Sequence, residues 1–486
     1  MPTPLHQEEK MEAKAKRKRK AERTKIDPTT FTVILNAFQT ITREMTLAFE
    51  YTAWTTIISD ARDFSCAIYD AQARQVAMLD AIPIHTNSMS IVINEIARTF
   101  EGDIHEGDLI ICNDPYSGNT HVGDLVMACP VFHKKQHLFW TVTKAHHLDS
   151  GAPIPSSMPQ TATDVWTEGL TIPPFKIYDK GVERKDAIRL ILAHWRWPWA
   201  TGGDLRAQMG TVWLGRKRLL ELIESYGVET IKRYVEEMID YADRMTAAEI
   251  RDFPDGTYVG YTWIDSDGQG RTDIPIKATV TIKDDMVHVD FTGSSPQTPG
   301  AVNASYAVMR AAAGIPVLTC VDSAIPHNEG CIKHIVGTAP KGTVATAEWP
   351  YSTALCTICC GDALQEAVMR ALAHAVPELR SAGIGRIVVP AMSGEDRRGE
   401  QPTLYGVQLF NAGPGGGASK GYDGWPVIND AAVMGGLKLI AIELCELLYP
   451  LLFEHYEMET DSAGAGQWRG APGVRMSIRP VGGPME

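Results

Sequence analysis

Apolar residues recur along this chain with two periods, and the points where the period changes outline its elements. After Asp27-Pro28-Thr29, the residues Phe31, Ile34, Leu35, Phe38 and Ile41 fall three or four apart. That spacing predicts a core-facing helix stripe, with proline tolerated in the first turn. Two short β-rich runs follow, Ser65–Asp70 and Gln75–Asp80, and the Ala-Gln-Ala-Arg between them predicts a hairpin. Helical periodicity returns over His85–Phe100. Strand-like runs then alternate with polar clusters from 108 to 149, in DLIICNDPYSG, DLVMACPVF and LFWTVTKAHH. Arg216–Arg251 predicts a long helical stretch, in one piece or two.

A composition shift at Phe253-Pro254-Asp255-Gly256 opens a region of strict alternation, TYVGYTWID, IPIKATVTI and MVHVDF, with Asp-Gly and Asp-Asp between the runs. This predicts an antiparallel sheet. Helices are expected at Asn303–Ala313 and Gly361–Ala375, a glycine-rich stretch covers Asn411–Asn429, and Leu437–Glu457 predicts a final helical segment. No internal repeat or heptad is present. The expected fold class is α+β and multi-domain, with mixed and antiparallel sheets and packed helices. A flexible basic arm is expected over 1–26 and an N-terminal domain carrying the candidate site over 27–252. An antiparallel sheet region over 253–300 and a C-terminal α/β region with the Gly-rich loop over 301–486 complete the division. A chain of 486 residues exceeds what one hydrophobic core conveniently fills, so two or three sub-domains are expected.

Composition changes this picture only by exclusion. Hydrophobic residues at 44% and charged residues at 22% are ordinary for a globular protein, and the net charge of −13 argues against a nucleic-acid surface. Nowhere do about 18 apolar residues run uninterrupted, so no membrane span is expected. The basic run Lys16-Arg17-Lys18-Arg19-Lys20 has no apolar stretch or small-residue cleavage site behind it and reads as a solvated or subunit-hugging tail, not a secretory signal. Nine cysteines without a leader point to a reducing cytoplasm. Cys356, Cys359 and Cys360 lie close together, but no second CxxC and no neighbouring histidine complete a four-ligand set, so a structural thiol cluster is the reading.

The chemistry concentrates at strand ends, where polar side chains are held by a scaffold yet reach its rim. His121 and Asp124 stand three apart in NDPYSGNTHVGD (Asn113–Asp124), and His146, His147 and Asp149 close the next strand in KAHHLDSG (Lys144–Gly151). Imidazole and carboxylate together suit zinc, manganese or iron(II), although a hydrogen-bonded structural cluster would use the same letters. Successive strand residues face opposite sides, so only one of His146 and His147 points to such a site, and the other packs or orients. Spacing does not choose between them. In SDARDFSC (Ser59–Cys66) one of Asp60 and Asp63 is a third ligand source while the other pairs with Arg62.

The order of DFSCAIYD, NDPYSGNTHVGD, KAHHLDSGA, VDFTGSSPQTPGAVNA, GWPVIND and DSAGAGQWRG resembles the hydantoinase B/oxoprolinase family from about Asp27 to Arg479. The family holds hydrolase subunits for hydantoins, 5-oxoproline and lactams, together with subunits of ATP-dependent ketone carboxylases. The resemblance implies a divalent metal, zinc or manganese with iron as a further choice, held by Asp60, His121, Asp124 and His146. Many members carry Glu at the first position, so Asp60 departs from the pattern, shortens the reach by a methylene and tilts the reading towards an amide hydrolase. His147 and Asp149 are then the nearest candidates for general base or orienter, the catalytic pair of this reading. The resemblance also implies a hydantoinase A-type ATPase subunit that carries ATP and Mg and activates a small-molecule substrate. The expected assembly is a cytoplasmic hetero-oligomer such as a heterotetramer, with no nucleic-acid or membrane partner. Family members continue some tens of residues beyond the element matching Arg469-Gly470-Ala471; that tail is absent here, lies outside this sequence, or is replaced by a partner.

The expected function is therefore the metal-bearing catalytic subunit of an ATP-dependent cyclic-amide hydrolase. A ketone carboxylase subunit is the nearest alternative, and a stand-alone metallohydrolase and a non-catalytic scaffold subunit are the more distant ones. This chain has no GxxxxGK[ST] loop, and Ala412–Gly421 lacks the strand–loop–helix frame of a nucleotide site, so it is expected as a tight loop lining the cavity. His194–Trp199 (HWRWPW) reads as a packed corner, Asp265–Asp273 as a turn because the calcium loop's twelfth-position Glu is missing, and Pro326–Cys331 as a cavity-lining segment.

Overall fold

The computed structural model describes residues 26–79 and 81–485, so the basic run of the predicted arm lies outside the described residues. The first helix, α1 (Pro28–Thr52), starts where the sequence places it. Asp27 caps it by accepting from the Thr30 backbone N–H at 2.8 Å, and Ile34, Phe38, Ile41, Met45 and Phe49 form its buried stripe. The hairpin follows as β1 (Phe64–Asp70) and β2 (Gln75–Met78).

These strands open a seven-stranded sheet in the order β2-β1-β5-β4-β3-β6-β7, with every pair antiparallel. Its other members are β3 (Leu109–Cys112), β4 (Asp124–His133), β5 (Gln136–His146), β6 (Phe175–Asp179) and β7 (Val182–Glu183). Both faces of its centre are covered. Leu125, Met127 and Cys129 pack with Leu205, Met209 and Val212 of α3 (Pro198–Tyr226), while Val126 and Ala128 pack with Met89, Val92 and Ile96 of α2 (Met89–Thr99). Two-sided burial explains why the β4 sequence reads as a nearly continuous apolar run although the sheet is antiparallel. The predicted stretch Arg216–Arg251 begins earlier, at Pro198, and breaks into α3 and α4 (Val228–Arg251) at Gly227, whose φ of 80° no helix interior accepts.

The alternating region forms β8 (Gly256–Ser266), β9 (Thr272–Lys283) and β10 (Met286–Asp290). Ile274, Ile276, Ala278, Val280 and Ile282 of β9 point inward, and β11 (Ile335–Thr338) adds in parallel to β10, which makes this four-stranded sheet mixed. Two helices, α5 (Tyr306–Leu318, capped by Ser305) and α6 (Asp362–Ala375), pack on each other, and α6 lies on β8 and β9. One hydrophobic cluster takes residues from α1, the first sheet, the second sheet and both of these helices, which carries a continuous core from Ile34 to Leu451. The α+β class with mixed and antiparallel sheets holds.

The predicted helix over Leu437–Glu457 is a correction. Only Ile442–Leu448 is helical, and β14 (Leu451–Met458) pairs with β15 (Val474–Pro480). Pro450 ends the helix, because proline lacks the N–H and clashes with the preceding turn. The remaining strands, β12 (Ala391–Asp396) and β13 (Thr403–Gln408), form a separate pair. Among the described residues, no helix is long and apolar enough to cross a membrane. All nine cysteines are free thiols, and Cys356 and Cys360 are buried with Sγ donating to Thr120 O and Val344 O.

Candidate metal centre

The register of β4 and β5 builds the site. Asp124, the first residue of β4, lies directly opposite His146, the last of β5, and the preceding loop swings His121 back over the pair. His121 Nε2 and His146 Nδ1 each stand 3.1 Å from Asp124 Oδ1, and the two imidazole rings are 4.9 Å apart. One ligand atom from each of the three lies within 4.8 Å of the others, and all three residues are buried. No other metal-binding group forms among the described residues, the three clustered cysteines included.

Gly123 makes the convergence possible. A Cβ there would stand 2.7 Å from His146 Cε1 and 2.8 Å from His121 Cε1, so any side chain would wedge the imidazoles apart. Behind them, Ser157 Oγ lies 2.8 Å from His146 Nε2 and accepts from Gln408 Nε2 at 2.7 Å. The hydroxyl can turn to suit either tautomer, which fixes the ring from its far side. The Thr120 hydroxyl donates to Asp124 Oδ2.

Charge at the site is balanced by side chains on the same strand face. Lys144, two residues before His146 and fully buried, sits 3.6 Å from Asp124 Oδ2 and donates to Ser88 Oγ at 3.1 Å. Burial pushes its ammonium down to about 8 against the pull of Asp124. Burial alone would raise Asp124, but His121, His85 and Lys144 outweigh it and hold the carboxyl well below the ordinary range. His85 enters from the short turn Pro83–Thr86, with Nε2 3.3 Å from Asp124 Oδ2 and 3.8 Å from Asp63 Oδ1, and burial lowers its basicity. Burial raises Asp63 to about 7 against the pull of His146. Asp63, His85 and the three central residues border a void of about 20 Å³, room for a single water- or ion-sized occupant.

Of the expected four ligands, the structure gathers His121, Asp124 and His146 and leaves Asp60 out. Asp60 closes the helical turn Thr56–Ser59 and accepts from Ser59 Oγ at 2.5 Å. Arg62, at φ 59°, then bends the chain so that Asp63 runs beside β5, its carbonyl accepting from His146 N at 3.0 Å. Spacing within SDARDFSC could not show that bend. Arg62 pairs with neither acid but with Glu50 at 2.5 Å.

His147 and Asp149 also face away from the group. His147 Nε2 donates to Gln208 Oε1 at 3.3 Å and its ring stacks on Trp195. Asp149 accepts from the Arg196 backbone N–H at 2.6 Å and pairs with its guanidinium at 3.0 Å. In HWRWPW, Trp195 and Trp197 are buried while Trp199 is 64% exposed, so only part of the segment packs as expected, and Arg196 anchors the end of the KAHHLDSG segment. The Gly-rich loop does not border the 20 Å³ void; a Cβ on Gly415 would meet the backbone of Ala471 and Pro472 instead. His85, Lys144, Ser157 and Gln408 escaped sequence reasoning, since none of them stands in a ligand spacing.

Comparison with known proteins bears on this geometry. The hydantoinase B/oxoprolinase profile matches residues 27–485. The beta chain of the caprolactamase of Pseudomonas jessenii is 35% identical over 457 residues, which cover 94% of this chain and 78% of that one. The crystal structure of the ATP-dependent caprolactamase from the same organism superposes with a TM-score of 0.87, over 94% of this chain and 79% of that one. The B component of a putative D-/L-hydantoinase from Pseudomonas sp. (strain NS671) is 32% identical over 476 residues, 94% of this chain and 78% of the relative. A nucleotide-free acetone carboxylase structure superposes with a TM-score of 0.86 at 20% identity, over 94% of this chain and 63% of that one, a likeness of fold alone.

Proposed function

This chain belongs to the hydantoinase B/oxoprolinase family, and from that premise we propose that it is the metal-bearing catalytic subunit of an ATP-dependent cyclic-amide hydrolase. The observation that supports this most is the buried convergence of His121 Nε2, Asp124 Oδ1 and His146 Nδ1 within 4.8 Å beside a void of one-ion size. These three residues hold a divalent cation, zinc or manganese by the nitrogen and oxygen donor set, with Asp63 in the place the sequence assigned to Asp60. A cation bound there supplies Lewis-acid polarisation of the amide carbonyl or of a water.

The chain's own residues prepare the site for that role. Ser157 and Gln408 orient His146, Lys144 offsets the charge of Asp124, and Ile82, Ile84, Met158 and Phe410 keep bulk water from the void. Asp63 and His85 both border the void, with Oδ1 and Nε2 3.8 Å apart. His147 and Asp149, first expected as the catalytic pair, brace the strand end from behind. The names of the relatives speak of subunits, and we assign ATP and Mg to a hydantoinase A-type ATPase partner that activates the amide oxygen. Nine free thiols fit a cytoplasmic location.

The test is co-purification of the chain with a hydantoinase A-type ATPase subunit, elemental analysis, and turnover with lactams, hydantoins, and a ketone with bicarbonate. ATP-dependent ring opening by a complex with about one cation per chain supports the reading. Carboxylation of the ketone without ring opening would move it to the carboxylase branch, and full activity without a cation would leave only a scaffold. Asp63→Asn is expected to cut cation affinity about tenfold or more, whereas Asp60→Asn leaves cation content unchanged; the opposite ranking restores Asp60 as a ligand. Gly123→Ala is expected to weaken cation binding about tenfold to a hundredfold with the far-UV CD spectrum intact, measured by competition with a chromophoric chelator.

A further inference from the structure

The small void beside His121 and His146 is lined by two unlike sets of side chains. Every carboxylate and imidazole on it, from Asp63, His85, His121, Asp124 and His146, belongs to the chain up to His146. Beyond Thr357 the lining is wholly apolar, with Ile358, Ile387, Phe410, Val433 and Leu437. The distant half of the chain thus adds a wall and no ligand.

The two sets also differ in how they are held. Asp124 and His146 are paired in the β4–β5 ladder, and Gly123 lets His121 close on them. Ile387, Phe410, Val433 and Leu437 lie outside every helix and strand. Leu409 N–H donates to Pro390 O at 3.0 Å, which joins the segments of Phe410 and Ile387, and Lys438 N–H donates to Ala61 O at 2.9 Å, which docks the segment of Leu437. At the end of β13, Gln408 reaches Ser157 behind His146 and Phe410 reaches the void, while Leu409 between them does not border it.

A void of about 20 Å³ holds one water or ion and no organic molecule. A substrate oxygen that meets a cation on His121, Asp124 and His146 therefore needs space that the packed site does not offer. The ladder pair cannot recede without dispersing the ligand atoms, so the space has to come from the apolar wall. Phe410 is the largest side chain of that wall and is only 3% exposed.

We propose that Phe410, with Leu437 as its counterpart on the last segment, sets the size of substrate that reaches the cation. The proposal rests on the cation-centred function proposed above and names the residues that select within it. Selection is by shape, since the wall beyond Thr357 offers no hydrogen-bonding side chain. The same wall excludes water, so a truncation that admits a larger ring also slows every substrate. A ratio of two substrates isolates the first effect from the second.

The assembled complex is assayed with ATP on 2-pyrrolidinone and on the larger ring 2-azacyclononanone. Phe410→Ala is expected to raise kcat/KM for the larger lactam relative to the smaller at least about tenfold over wild type, since a methylene admitted or refused is worth roughly that much. Such a ratio does not depend on how much of a variant is folded. Phe410→Leu and Leu437→Ala are expected to shift it the same way by less, and they carry the test should Phe410→Ala fail to assemble. Leu409→Ala, an equally buried truncation off the void, is expected to leave the ratio unchanged.

A second readout needs no turnover. The full-length chain is loaded with cobalt(II) and titrated with imidazole, followed by visible absorption. Imidazole is expected to bind the cobalt of Phe410→Ala at least about tenfold more tightly than that of wild type. An unshifted ratio, an equal shift in Leu409→Ala, or imidazole binding no tighter than in wild type would overturn the role of Phe410 while cation-dependent turnover stands. Cobalt uptake and turnover that both ignore His121→Ala would instead sink the cation-centred reading, and the lactam ratio would then decide on Phe410 alone.

Discussion

His121→Ala is expected to leave the chain with a small fraction of its bound divalent cation and to lower ATP-dependent turnover at least about a hundredfold. Among the described residues, His121 supplies one of the three candidate ligand atoms that converge within 4.8 Å, and its loop owes its path to Gly123 and to the Asp124 N–H bond to His121 O at 3.2 Å. Alanine keeps that backbone and removes the imidazole alone. Far-UV CD and co-elution with the partner are therefore expected to stay unchanged while elemental analysis shows the loss. A variant that retains both its cation and its turnover would show that the three residues are a structural cluster.

Arg386→Leu is expected to destabilise the chain by about 3 kcal/mol near pH 8 without touching the candidate site. Its guanidinium pairs with Asp362 and lies 3.3 Å from Glu366, beside a second fully buried carboxyl, Asp430. The figure is at the lower end for a broken buried pair, because about a third (35%) of the arginine side chain faces solvent and screens the interaction. Burial already raises Asp362 to about 6, against the pull of Arg386, and raises Asp430 well above the ordinary range, with Asp362 adding to it.

A carboxyl whose folded value exceeds its unfolded value contributes stability below the unfolded value of 3.8, and that stability is lost as pH rises through about 6. Removing Arg386 deletes the charge that restrains both carboxyls, so the loss deepens above that window and nearly vanishes below it. Thermal unfolding should show Arg386→Leu about 5 °C below wild type near pH 8 and close to it near pH 5. An equal deficit at both pH values would mean that packing, not charge, accounts for it.

Much of the architecture could be read from local pattern. The α1 stripe, the β1–β2 hairpin and the alternation of β8 to β10 each depend on residues a few positions apart, so period alone reports them. The packed Trp195–Trp197 corner and the turn at Asp265–Asp273 were legible for the same reason. The C-terminal helix was not: β14 becomes a strand because β15, some twenty residues on, supplies its partner, and Pro450 stops the helix before it. The parallel strand β11 was hidden likewise, since its four residues gain meaning only against β10.

The candidate site divides along the same line. His121, Asp124 and His146 stand out in the bare sequence because a three-residue loop spacing and a strand end are local facts. Choosing His146 over His147 needed the β4–β5 register, which sets Asp124 opposite one and turns the other towards Gln208. Placing Asp63 rather than Asp60 on the void needed the left-handed bend at Arg62, and setting His85, Lys144 and Ser157 around the three central residues needed distant chain segments to converge. The residue types fixed which chemistry was available, through their donors, charges and periods. Which of those groups meet depended on strand register and on packing between distant segments, because a side chain's neighbours are set by the whole fold while its period is set by itself.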